Sequence, residues 1–207
     1  MFRRITLAVI AATGALAFAF AAQAGGASSL TVVVKDRRGI PIKDAVITVY
    51  PAKGVSAPAK FAWPNAMAQK DLNFVPGTLI VPKGSKVAFP NFDRVRHSIY
   101  SFSDAARFEI SLYGRDQSRA QSFPVAGNVA LGCNIHDSMR GYIKVVDTPY
   151  AAKTDREGRV VIDGLPSGAT EVRIWHPAAL ASDNEADHDT VLADGANSRA
   201  VVLPLRR

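Results

Sequence analysis

The chain has 207 residues, with 25 lysines and arginines against 18 acidic residues, and a net charge of +7 at neutral pH. That length suffices for one large or two small domains with real cores. The basic excess is not gathered into the aromatic-interleaved lysine tracts of a nucleic-acid binder, and a single cysteine excludes an internal disulfide framework.

Residues 1–24 read as an export signal: Arg3 and Arg4, an apolar run from Ile5 to about Ala22, then Ala22-Gln23-Ala24 as a small-x-small cleavage site. The run is alanine-rich, marginal in length for a bilayer span and followed by no stop-transfer charges, so cleavage leaves no membrane anchor. The remaining chain of about 183 residues begins near Gly25 and, without Arg3 and Arg4, carries +5 rather than +7. Its expected location is the periplasm, where it is read as a soluble monomer.

Residues 30–51, LTVVVKDRRGIPIKDAVITVYP, alternate apolar and polar positions on either side of a charged Gly-Ile-Pro turn, the pattern of two strands with the second over Ala45 to Tyr50. Residues 52–66 are rich in proline and alanine and read as a linker. After it, His97 opens the run His-Ser-Ile-Tyr-Ser-Phe-Ser, whose alternation predicts another strand.

The lone thiol, Cys133, lies in LGCNIHDSM. In an oxidising compartment it has three fates: an intermolecular disulfide, a buried inert thiol or a metal thiolate. The spacing Cys133-x2-His136-x2-Met139 puts a thiolate, an imidazole and a thioether on one short loop. Soft sulfur with imidazole is a copper donor set, and a trigonal centre of two histidines and one cysteine with a long axial methionine requires one more histidine. His97, at a strand start 36 positions upstream, is the candidate. Zinc fits less well because structural zinc sites do not use thioether, and haem c attachment would need Cys-x-x-Cys-His. A catalytic cysteine and histidine pair stays open, although no third orienting group follows it.

Beyond the loop, YAAKTDREGRVVIDGLPSGATEVRIWHP again reads as strands parted by Asp/Gly and Pro/Gly turns. SDNEADHDT, with His188, reads as a solvated acidic loop, and His176 beside Trp175 as a packing or hydrogen-bonding residue. No helical periodicity appears after the export signal, so the fold class is all-β.

The segment from about Gln69 to Asp147 resembles a cupredoxin of the plastocyanin and amicyanin type, and its loop spacing is similar to that of amicyanin. On that resemblance, His97 and His136 are the two imidazole ligands, Cys133 is the thiolate and Met139 the axial thioether of one type 1 copper ion. His136 is then the edge through which electrons leave. Two departures stand out. Ser98 occupies the place where the family carries an asparagine that ties the two ligand loops together, and Asp137 the place of a proline after the second histidine. The motifs FPNFD, HSIYSFS, LGCNIHDSM and VVDTPYAAKTDREGRVVIDGLPSG also resemble the exported bacterial cupredoxins labelled "methylamine utilization protein".

Asp36, Gly39, Pro41, Ala45 and Val49, then Thr154, Asp155, Gly158, Leu165, Pro166 and Gly168, resemble the two halves of a carboxypeptidase-regulatory-like (prealbumin-like) β-sandwich. Ile47 stands where that pattern has its first valine. The expected organisation is an export signal (1–24), the first strands of this sandwich (28–55), a cupredoxin Greek-key β-sandwich (68–147) and the remaining sandwich strands (148–207). The cupredoxin unit is inserted in, or joined to, the second sandwich. The resemblance implies an electron carrier rather than an enzyme, since an oxidase would need further histidine clusters and only His176 and His188 remain. A copper carrier or sensor would use the same ligands. Arg94, Arg96 and Arg140 flank the predicted ligands, a cationic rim for the acidic face of a redox partner such as a cytochrome or a quinoprotein.

Overall fold

Alternation of buried and exposed side chains governs the architecture from the first strand onward. The computed structural model describes residues 27–52, 61 and 64–206; the export signal and most of the 52–66 linker lie outside the described residues. The chain opens with β1 (Ala27–Lys35) and β2 (Val46–Pro51). It continues through β3 (Ala68–Lys70), β4 (Asn73–Val75), β5 (Thr78–Pro82), β6 (Ser85–Pro90), β7 (His97–Ser103), β8 (Ala106–Tyr113), β9 (Ser118–Phe123), β10 (Gly127–Gly132) and β11 (Arg140–Val146). It closes with β12 (Ala151–Lys153), β13 (Arg159–Pro166), β14 (Gly168–Trp175), β15 (Glu185–Leu192) and β16 (Ala196–Val202). Among the described residues the only helical segment is the 3₁₀ turn Ser182–Asn184, so the chain is all-β.

The first two and last five strands build two facing sheets, β13-β1-β16 and β12-β2-β14-β15. Leu30, Val32 and Val34 of β1 point into one core with Ile47, Val49, Val172 and Ile174. Two similar turns tie this sandwich together. In each, an aspartate Oδ1 accepts the amides two and four residues on: Asp36 takes those of Arg38 and Ile40, Asp155 those of Glu157 and Arg159. Each turn then places a glycine at positive φ, Gly39 at 80° and Gly158 at 72°. Thr154 Oγ1 joins the halves by accepting the Ala45 N–H and donating to the Ile42 carbonyl.

The intervening strands form a five-stranded sheet, β5-β11-β10-β7-β8, with the pairs β6-β9 and β3-β4. Their own core gathers Phe89, Ile99, Tyr113, Phe123, Val129 and Ile143. A third buried cluster, Val46, Ile80, Val146, Ala151 and Trp175, lies between the two cores, with Tyr142 packed edge-on to Trp175 at 5.7 Å. This is why β2 is buried on both faces: Ile47 and Val49 serve the sandwich core, Val46 the seam.

The segment read as an acidic loop is mostly strand. Residues of SDNEADHDT beyond Asn184 belong to β15, the edge strand paired only with β14. Its exposed charged side chains hide the alternation that marks a strand, and they also discourage pairing with another chain. His176 is hydrogen-bonded, its Nδ1 accepting the Ala178 N–H at 3.2 Å, and burial lowers its pKa.

Across the seam, Lys144 Nζ donates to Glu185 Oε2 at 2.6 Å, both side chains largely buried. Burial pulls the Lys144 pKa down while Glu185 holds it up. Replacing Glu185 by glutamine leaves a buried ammonium without its hydrogen-bonded carboxylate, so urea unfolding of Glu185→Gln is expected to show a loss of about 3 kcal/mol. The double variant Lys144→Met/Glu185→Leu should recover most of it.

Candidate metal centre

Strand pairing determines which side chains meet. β10 and β11 are antiparallel neighbours, with Gly132 opposite Arg140, so residues 133–139 form the loop between them. β10 also pairs with β7 through Gly132 and Tyr100, which sets the start of β7 beside the start of that loop. His97 is the first residue of β7, and Cys133 follows the last residue of β10.

Three donor atoms converge there. His97 Nδ1 and His136 Nδ1 are 3.1 Å apart, and Cys133 Sγ lies 3.9 Å from the first and 3.7 Å from the second. A circle through three points with these separations has a radius of about 2.1 Å, close to the ~2.0–2.1 Å of metal–imidazole bonds and the ~2.3 Å of a metal–thiolate bond. One ion at its centre therefore reaches all three donors without their moving. The donors are two imidazoles and a thiol with no carboxylate among them, a soft set that fits copper. His97 and Cys133 are buried and His136 is partly exposed.

Met139, the fourth predicted ligand, is buried in the same cluster as Cys133. Its N–H donates to the His136 carbonyl at 2.9 Å, closing the turn that carries His136.

Ser98, although shorter than an asparagine, ties the ligand segments together. Its Oγ accepts the Asn134 N–H at 3.0 Å and lies 3.8 Å from Cys133 Sγ. On the far side of the first imidazole stands Asp93, which the sequence reading did not single out. Its Oδ2 is 2.8 Å from His97 Nε2. Burial pushes the Asp93 carboxyl up, but hydrogen bonds from the Leu72 amide, His97 and the Asp71 amide outweigh it and hold the group below its ordinary value. The only sequence signal for Asp93 is a carboxylate four positions ahead of a predicted ligand.

No protein-family model matches the chain, and no curated protein matches it. Solved structures do. A purple cupredoxin from Nitrosopumilus maritimus aligns over 39% of this chain and 98% of its own, at 19% identity and a TM-score of 0.36. The reduced form of an amicyanin variant aligns over 50% of this chain and 99% of its own, at 20% identity and a TM-score of 0.37. A copper-containing nitrite reductase from Thermus scotoductus SA-01 aligns over 56% of this chain but 28% of its own, at 23% identity and a TM-score of 0.39. At these identities and scores the likenesses decide nothing about the centre, which its own side chains define.

The Ser98 tie is testable without metal. Ser98→Ala leaves the partly buried bond to the Asn134 amide unmade, at an expected cost of about 1 kcal/mol in urea unfolding of the metal-free protein. The loop from 133 to 139 should then exchange its amide hydrogens faster, while β1 and β2 keep their protection.

Proposed function

We propose that the chain is an exported electron carrier whose type 1 copper centre is held by His97, Cys133, His136 and Met139. The observation that supports this best is the convergence of two Nδ1 atoms and one Sγ on a point about 2.1 Å from each. Copper bound there supplies one-electron cycling between Cu(I) and Cu(II).

The protein's share is preorganisation. Cys133 gives up its thiol proton to become a ligand, and both histidines present neutral Nδ1, so loading weakens on acidification. Ser98 holds the cysteine loop against β7, which limits the rearrangement that electron transfer requires. Met139, buried in the same core, would add a thioether sulfur to the donor set. His136, partly exposed, is the edge presented to a partner.

The segments that carry the donors expose both apolar and basic side chains. Phe92, Val95 and Ile135 are exposed on the two segments that carry the donors, and Arg94 and Arg96 are exposed on the segment that leads into His97. An acidic redox protein, a cytochrome or a quinoprotein, docks there in this reading, steered by the arginines and seated on the apolar side chains. The carrier works in the periplasm as a monomer and catalyses no reaction of its own. The two cores are two domains, the copper unit of 68–147 being inserted into a prealbumin-like sandwich.

Optical and electron paramagnetic resonance spectra of the Cu(II)-loaded protein test the centre. An intense blue thiolate-to-copper band with narrow hyperfine splitting, lost in Cys133→Ser, is the expected result. A pale, ordinary Cu(II) spectrum with ready metal release would instead assign the loop to copper carriage or sensing. The docking surface is tested separately: reduction by an acidic partner should slow as salt rises, and the double variant Arg94→Gln/Arg96→Gln should flatten that dependence.

A further inference from the structure

Asp93 sits in an unusually complete cradle. Its Oδ1 accepts the Asp71 N–H at 2.6 Å, and its Oδ2 accepts the Leu72 N–H at 3.1 Å as well as lying 2.8 Å from His97 Nε2. Its own N–H donates to Asn91 Oδ1 at 2.9 Å. Asn91 is fully buried and donates from Nδ2 to the carbonyls of Val95 and Tyr113. The segment from Asn91 to His97 is thus pinned at both ends.

The two amides that hold the carboxylate come from the turn of the β3-β4 hairpin, where Asp71 and Leu72 both have positive φ, 53° and 56°. A leucine in that region is sterically unfavourable, and such backbone persists where surrounding contacts over-determine it. Here both strained residues aim an N–H at one carboxylate. The imidazole it grips is wholly buried and reaches the other two donors through Nδ1.

We infer that Asp93 is the positioning residue of the metal centre: its carboxylate, anchored by the Asp71 and Leu72 amides, holds His97 as the Nε2–H tautomer with Nδ1 free to bind metal, and its negative charge favours the oxidised ion. This rests on the copper reading proposed above. A carboxylate bonded to the outer nitrogen of a ligand histidine raises that ligand's basicity, and removing such a partner typically weakens metal binding about 10–100-fold. The extra positive charge of Cu(II) over Cu(I) makes the effect larger for the oxidised state. Asp93 therefore lowers the reduction potential, against the raising influence of a buried site with a thioether donor.

The test compares the wild-type chain with Asp93→Asn, each measured for Cu(I) and Cu(II) affinity and for reduction potential. Asp93→Asn should remain blue while Cu(II) affinity falls about tenfold more than Cu(I) affinity, which is a rise of about 59 mV for a one-electron couple. A blue Asp93→Asn with unmoved affinities and potential overturns the inference, even if its metal-free form unfolds more readily. A wild-type chain that takes up no copper overturns the functional reading itself, and the potential shift with it. Should Asp93→Asn fail to fold, nitrogen-15 NMR of the metal-free wild type decides. A hydrogen-bonded, slowly exchanging Nε2–H on His97 supports the role of Asp93, and an Nδ1–H tautomer overturns it.

Discussion

The pairing of Gly132 with Tyr100 is the contact on which the centre depends. It lays the end of β10 beside β7, so that residues 36 positions apart in the chain, His97 and Cys133, present their side chains to one point. A side chain at 132 would displace Tyr100: a Cβ there would stand 2.5 Å from the Tyr100 ring. Glycine thus serves as an absence of volume that lets a tyrosine lie against the strand immediately before the thiol. One donor then comes from a sheet strand, and the others from a loop both of whose ends are sheet, which is how a flexible-looking segment is held to the tolerance that metal ligation requires.

Around this centre the chain sorts its polar groups by role. The groups that converge are two imidazoles and a thiol, while the Asp93 carboxylate faces the outer nitrogen of His97. Formal charges lie farther out, as Arg94 and Arg96 on the surface.

How much of this could be read from the sequence depended on how local each signal was. The strand His97–Ser103 was legible because its side chains alternate, and the loop from 133 to 139 because its three sulfur and nitrogen donors recur every third residue. β15 was missed because an edge strand exposed on much of its length has no hydrophobic period to show. Asp93 was missed for a different reason. An aspartate in a loop reads as a turn former, and only the hairpin amides of Asp71 and Leu72, some twenty residues earlier, make it an anchored acceptor. The bond from Ser98 to Asn134 was similarly hidden, since a short hydroxyl suffices once the strands lie this close. The seam left a faint trace: β2 is apolar at Val46, Ile47 and Val49, with only Thr48 between them, which is what burial on both faces demands.

The seam and the threading of the chain through it also constrain how the molecule comes together. The sandwich is completed only when strands on either side of the intervening unit meet, as in the bond from Ala45 to Thr154 across 109 positions. The strands of the intervening unit pair only with one another, and it meets the sandwich through the seam. Closing a loop costs more entropy the longer it is, so a folded inner unit shortens the effective distance the outer strands must bridge. The parallel pairing of β5 with β11 brings the early and late strands of that unit side by side, which returns the chain close to where it left. Once the inner strands are paired, the outer strands stand within reach of one another, and the sandwich closes at a lower entropic cost than a chain of that length would otherwise impose.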